Sequence, residues 1–569
     1  MRSLRPLASV LFLLAASLFA QPASAASASG RNWYRNAVIY EIYPRSFGDT
    51  DGNGIGDING ITKHLDYLKR LGVDAFWLTP IYPSPQVDFG YDISNYEAID
   101  PQYGTMADFD RMMAEAKRRG LRVIMDMVLN HTSDQDPWFI ESQSSKTNSK
   151  ANWYIWHDGK PNNQPPNNWQ SIFGHSAWTY VPTRKQWYYH AFYKQQPDLN
   201  WRNPEVRKAM YAQMRFWLDK GVAGFRLDAI TSLFEDIALK DEPYLTGVNA
   251  YGDKNISRIY TDNLPEVHEV LRELRKVVDP YNAILIGETY LPNVQELVKM
   301  YGKNNDELQL PMDTQVGFIN KLRIAEFRAK LNDAETKING LPALLVFANH
   351  DNPRVLNRYA DGQEDPEISK LIATILLTPG GAALIYYGQE LGMTDNPPKR
   401  IEDVRDPIGK LGWPKEKGRD GERTPMQWTN GIDAGFSTAQ RPWLPINPNF
   451  KTINVAAEES QPNSVLSYFK KLIQLRKDSA QLRSGEFVLI NPDNNNVLSF
   501  VRKTADGNAV LISCNFSAQP QTLSLDLQSH GIQGKHLRTL ASSFPNASPP
   551  DISHVTLPAH GSYVAQIEP

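Results

Sequence analysis

From about Val38 onward, short apolar runs alternate with longer stretches of helical periodicity. The runs "VIYEIYP" (38–44), "AFWLTPIY" (75–82), "RVIMDMV" (122–128), "GFRLDA" (224–229), "AILIGE" (283–288), "LQLPMD" (308–313), "LLVFANH" (344–350) and "AALIYYG" (382–388) lack clean polar alternation. That is the pattern of parallel strands covered on both faces. Between them, segments such as "ITKHLDYLKRLG" and "PEVRKAMYAQMRFWLDKG" carry helical spacing and close on Gly, a helix stop. Eight strand–helix repeats predict an α/β fold, a (β/α)8 TIM barrel.

Two stretches break the rhythm. Residues 131–201, after the third run, are too long for a strand–helix loop and rich in Asn, Pro and aromatic residues, so they predict an inserted subdomain. A second Pro- and Gly-rich excursion covers about 394–449. Beyond Gly485 the runs shorten to "FVLI", "VLSFVRK", "AVLISCNF" and "SYVAQIEP", which predicts a closing antiparallel β-sandwich domain. The predicted division is a catalytic barrel over 31–130 and 202–484, the insert over 131–201 and a C-terminal domain over 485–569.

The first 25 residues read differently. A basic start at Arg2 and Arg5, an apolar run from Leu7 to Ala20 and the small residues Ala23-Ser24-Ala25 form the pattern of a cleaved secretory signal. The expectation is export to a periplasm or the medium. With Cys514 alone, no intramolecular disulfide is available. Over 569 residues the net charge of -3 gives no electrostatic reason to expect nucleic acid or an anionic membrane as partner.

The candidate chemistry lies at the strand ends, where barrels of this type carry their active sites. Arg226 and Asp228 are two apart in a strand and so share a face. Glu288 ends the fifth run; His350 and Asp351 follow the seventh; Asp126, Asn130 and His131 accompany the third. Paired carboxylates at one cleft suit glycoside hydrolysis, in which one group attacks the anomeric carbon and another protonates the leaving oxygen. Arg226 is expected to lower the pKa of Asp228, and neighbouring carboxylates to raise that of Glu288.

The motifs "GDINGI", "DMVLNH", "QPDLN", "GFRLDA", "GETY", "FANHDNPR" and "RTPMQW", in this order, make the chain similar to the α-amylase family of glycoside hydrolases (family 13). Within it the sequence resembles the α-glucosidases and oligo-1,6-glucosidases, on the maltase-like branch. The resemblance implies Asp228 as nucleophile, Glu288 as general acid/base and Asp351 as the third carboxylate. It implies substrate contacts from His131 and His350, and a clamp on the non-reducing glucose from Asp88 and Tyr91 of "DFGYD", paired with Arg423. Phe192 and Gln196 match further substrate positions, beside Arg226.

It further implies a retaining exo-α-glucosidase acting on small α-glucosides. Ala229 follows the nucleophile where, in the resembled enzymes, Val accompanies α-1,6 preference; the small residue points to α-1,4, maltose-type substrates, with sucrose and transglucosylation open. A transglucosylase or sucrose isomerase on the same site is the alternative, and a catalytically inactive sugar-binding or transporter-partner protein the alternative of another class. "DTDGNGIGD" (49–57) sets Asp49, Asp51, Asn53 and Asp57 around three glycines, with the Ile55 carbonyl available. Hard oxygen donors at this spacing suit Ca2+, or Mg2+ in its place, and in this family the loop resembles a structural Ca2+ site.

Overall fold

The computed structural model describes residues 32–569 except Asn339, Glu364, Asn546 and 548–550. The predicted signal segment therefore lies outside the described residues. Over Tyr34–Pro569, which form one compact unit, eight parallel strands close a barrel: β1 (Val38–Ile42), β2 (Ala75–Leu78), β3 (Arg122–Val128), β4 (Gly224–Asp228), β5 (Ile284–Gly287), β6 (Leu310–Asp313), β7 (Leu344–Val346) and β8 (Ala382–Tyr386). Each strand pairs with its neighbours in chain order, and β8 returns to β1. Every predicted run became a strand. All five residues of β1, β4 and β8 are buried, as unbroken apolar runs require.

Local signals set the helices. Thr105 and Asp108 form a capping box at the start of the helix Met106–Arg118. Asn203 caps Pro204–Asp219, with Pro at the first turn, where its missing N–H costs nothing. The single helix expected over "ITKHLDYLKRLG" is two, Ile58–Lys63 and Leu65–Leu71, meeting at His64; the second ends at Gly72 with φ 97°. Among the described residues no helix is long and apolar enough to cross a membrane.

The insert after β3 contains a helix, Pro137–Ser144, and a three-stranded antiparallel sheet. Its small core is aromatic, with Trp169, Trp178 and Tyr189 buried together. After β4 the chain makes an exposed hairpin, Tyr244–Val248 with Lys254–Ile256. Its residues largely face solvent and carry no core periodicity, so no apolar run marks it in the sequence.

The C-terminal domain has a five-stranded sheet in the order Glu486–Ile490, Val497–Lys503, Ala509–Asn515, Ser562–Glu568, His536–Ser542, and a two-stranded sheet, Gln521–Leu523 with Val555–Leu557. Both faces of the larger sheet are covered. Leu498, Phe500, Val510 and Ile512 join the barrel's core, whereas Val497, Val501, Ala509 and Leu511 pack within the domain. This period-two division explains why these strands read as continuous apolar runs.

Candidate active site

Asp228 is the last residue of β4, and Glu288 follows β5 by one position. Strands β4 and β5 are paired in parallel with Arg226 opposite Ile286, so both carboxyls emerge at the same end of the barrel. Arg226 joins them. Its Nη1 donates to Asp228 Oδ1 (2.5 Å) and to Asp126 Oδ1 (3.1 Å), and its Nη2 to Glu288 Oε1. The second oxygen of Glu288 accepts from the Ala229 N–H at 2.8 Å. Ala229 sits at φ 44°, a left-handed conformation that turns the chain immediately after Asp228.

The electrostatics correct one expectation. Burial pushes both Asp228 and Glu288 up to about 7, against the opposing pull of Arg226. Arg226 thus does not hold Asp228 below the ordinary carboxylate range. Its charge is divided among three buried carboxyls, Asp126 included, and burial outweighs each share. Neighbouring Asp228 and Asp351 do raise Glu288, as expected, but less than burial does. Raised in this way, Asp228 and Glu288 both titrate near neutrality as one interacting pair.

The third carboxyl is opposite in character. Asp351 is held well below the usual range: burial raises it, but His350, Arg419 and Arg423 together overcome that. His350 Nε2 is 3.2 Å from Asp351 Oδ2, and its Nδ1 is 2.7 Å from Glu41 Oε1. Burial lowers the His350 pKa, yet these two carboxylates lift it to about 9. Among the described residues His131 has no carboxylate partner. Its Nε2 donates to the Tyr91 carbonyl at 3.1 Å, and burial holds its pKa down at about 3. The two histidines the sequence paired are therefore one neutral and one cationic ring.

A cavity of about 630 Å³ opens over this cluster. Among the predicted residues Asp228, Glu288, Asp351, Asp88, Tyr91, His131, Phe192 and Gln196 line it. Arg226, His350 and Arg423 do not. They are buried behind its wall, no more than 1% exposed, and position residues that do face it. Tyr91 stacks on the His350 ring (centroids 5.3 Å apart, planes 8° from parallel) and donates to Asp126 Oδ2 at 3.0 Å.

The expected pairing of Arg423 with Asp88 is not made. Arg423 donates to the His350 carbonyl (2.7 Å) and to Asp351 Oδ1 (2.8 Å), not to Asp88. Arg419 reaches Asp88 instead: Nη2 to Asp88 Oδ1 at 2.6 Å, Nη1 to Asp351 Oδ1 at 2.8 Å and Nε to Asp406 Oδ2 at 2.8 Å. Gln196 Nε2 donates to the other Asp88 oxygen at 3.2 Å. Arg419 and Asp406 lie in the long excursion after β8, which has no periodicity to mark them. Glu41 was also missed, although a carboxyl inside the apolar run of β1 was a visible signal.

In the predicted metal loop, the carboxyl oxygens of Asp49, Asp51 and Asp57 converge within 4.8 Å. Asp49 accepts from Gly52 and Gly54 N–H groups (2.8 Å each), and Asp57 from Thr50 and Gly60 N–H groups (2.7 Å each). Asn53 Nδ2 donates to Asp51 at 3.0 Å, while its Oδ1 accepts from the Ile55 N–H at 2.7 Å. Burial raises the Asp51 pKa, and the like charges of Asp49 and Asp57 add to the rise.

Residues 41–485 match the description "Alpha amylase, catalytic domain", and residues 487–564 match "Maltogenic Amylase, C-terminal domain". The chain belongs to the α-amylase family of glycoside hydrolases. Two curated members of this family resemble it over nearly their whole length. One is a probable alpha-glucosidase of Rhizobium meliloti, 41% identical over 94% of this chain and 97% of the relative. The other is an oligo-1,6-glucosidase of Parageobacillus thermoglucosidasius, 42% identical over 87% and 92%. Among solved structures, an isomaltulose synthase mutant of Erwinia rhapontici in complex with sucrose superposes with a TM-score of 0.86, at 35% identity, covering 94% of this chain and 99% of that one. Glycoside hydrolysis uses a pair of carboxyls at one cavity, and the carboxyls at the ends of β4, β5 and β7 line one cavity here.

Proposed function

We propose that this protein is a retaining exo-α-glucosidase that releases glucose from the non-reducing end of short α-glucosides, with α-1,4 linkages preferred. The observation that carries the reading is the bridge Asp88–Arg419–Asp351, which joins two walls of the cavity beside the carboxyl cluster. A terminal glucose fits against such a bridge; a longer chain cannot thread past it. In this reading Asp228 attacks the anomeric carbon, forming a glucosyl ester, as Glu288 gives its proton to the departing oxygen. Glu288 then takes a proton from water, which cleaves the ester and restores Asp228. Both carboxyls sit on nitrogens of the one Arg226 guanidinium, consistent with the separation of about 5–5.5 Å that double displacement uses. Asp351, kept ionised, accepts hydrogen bonds from ring hydroxyls and favours positive charge at the anomeric centre.

The α-1,4 preference rests on Ala229, which lines the cavity beside Glu288 and leaves room that a β-branched side chain would fill. Likeness to an isomaltulose synthase supports a second reading, in which a sugar hydroxyl replaces water and sucrose is isomerised. Product analysis on maltose, isomaltose and sucrose separates them. Glucose chiefly from maltose supports the first reading. Dominant cleavage of isomaltose overturns the linkage preference, and a sucrose isomer as main product overturns hydrolysis.

Two further proposals accompany this one. Asp49, Asp51 and Asp57, with Asn53 and the Ile55 carbonyl, would hold a structural Ca2+, or Mg2+ in its place, whose charge would offset the burial and the like charges that raise Asp51. Residues 1–25 would direct export to the periplasm or medium, which N-terminal sequencing of the secreted protein tests.

A further inference from the structure

Beyond the glucose clamp the cavity has a second half, assembled from the segment after β4 and from the excursion after β8. Its wall includes Tyr251, Arg258, Asp262 and Glu416. Carboxyl side chains outnumber the cavity's two arginines, Arg258 and Arg419, along the whole lining. Each arginine already acts on carboxylates nearby. Arg419 already serves Asp88, Asp351 and Asp406. Arg258 donates through Nη1 to the Gln170 carbonyl and through Nη2 to the Ser171 carbonyl, 3.1 Å each, and its charge acts on Asp262. Glu416 is half-buried, with no ion pair to a Lys or Arg among the described residues, and its charge acts on Tyr251.

From this imbalance we infer that the outer half selects the leaving group by charge. Asp262 and Glu416 disfavour anionic aglycones such as sugar phosphates and favour neutral or ammonium-bearing ones. The physical basis is Coulombic: a cavity lined by one sign of charge and walled by low-dielectric protein concentrates its field, so the charge of an entering group alters its affinity more than in water. A phosphate on the leaving sugar would meet Glu416, which has no ion pair to a Lys or Arg among the described residues, and Asp262, whose charge Arg258 alone offsets. An ammonium at the same position would be drawn to them.

This inference rests on the glucosidase reading, but its test separates the two. Turnover of maltose, of its analogue bearing phosphate at the 6-position of the reducing glucose, and of the corresponding 6-amino analogue is compared at pH 7 and low salt. The wild-type kcat/KM is expected to fall at least tenfold from maltose to the phosphate and to be equal or higher for the amine. In the double variant Asp262→Asn, Glu416→Gln, the phosphate-to-maltose ratio is expected to rise to within about threefold of unity. A phosphate cleaved as well as maltose by the wild type, or a gap unchanged in the double variant, overturns the inference. If maltose itself is not hydrolysed, the glucosidase reading fails; charge selection is then read from calorimetric binding of the three sugars to the Asp228→Asn protein. The same order of affinities upholds it, and equal affinities overturn it.

Discussion

Arg419 and Asp88 are 331 positions apart in the chain and 2.6 Å apart in space. The same guanidinium holds Asp351 and Asp406, so one side chain ties the loop after β2 to the loop after β7 and to the excursion after β8. Removing one partner from a buried charge cluster leaves the others uncompensated, at about 3–5 kcal/mol. Arg419→Ala is therefore expected to raise KM for maltose by about 10–100-fold and to lower Tm. Arg419→Lys, which keeps the charge without the planar fork, should recover stability before affinity. An unchanged KM in Arg419→Ala would show that the bridge does not hold the substrate.

The carboxyls at the centre set the pH behaviour. Glu288 must be protonated to act as an acid, and burial places it at about 7. Activity is expected to fall as pH rises through about 7, and to fall again in acid as the shared cluster takes a second proton and Asp228 is neutralised. Stability also falls as the pH rises toward the first of these limbs. The folded cluster keeps protons that the unfolded chain releases near the ordinary carboxylate values of about 4, so raising the pH from about 4 through about 7 favours unfolding. Tm should decline across that window, with a shallower slope in Glu288→Gln. A Tm that climbs through the same range would contradict the raised values.

Stereochemistry distinguishes the two carboxyl roles. Removing a general acid/base costs typically 10²–10⁴-fold. Glu288→Ala is expected to lose that much on maltose yet retain glucosylation by an aryl α-glucoside, whose leaving group needs little protonation. Added azide should then release α-glucosyl azide from the ester intermediate. In Asp228→Ala, azide occupies the vacated side and should give the β-anomer. The same anomer from both variants, detected by NMR, would mean the roles are misassigned.

The loop at Asp49 gives a prediction independent of catalysis. Asp49 also accepts from Ser437 Oγ, in the excursion after β8, so its charge state affects two segments. Chelation with EDTA is expected to lower Tm by several degrees, and Ca2+ to restore it. Asp51→Asn should weaken that response while leaving the clamp residues untouched. A Tm indifferent to both EDTA and Ca2+ would exclude a structural ion here.

The eight strands and the terminal sheets could be read from the sequence because each depends on short-range periodicity, and the insert because its length breaks that rhythm. An unbroken apolar run states that both faces of a strand are covered, and in β1, β4 and β8 they are. The positions of Asp228, Glu288 and Asp351 were legible for a related reason, since chain order around a barrel fixes which strand ends are neighbours. The hairpin Tyr244–Val248 with Lys254–Ile256 escaped because exposed strands carry no core signal.

Tertiary structure alone decided the charges and the partners. The sequence put Arg226 beside Asp228, but only packing brought Asp126 and Glu288 onto the same guanidinium and buried all four, turning an expected fall in pKa into a rise. It offered Arg419 and Arg423 four residues apart in an irregular segment and could not say which reaches Asp88. A long flexible side chain in a loop has no periodicity to fix its direction. That direction follows from which distant carboxylates fold within reach of it, so the clamp and the pKa order belong to the folded barrel.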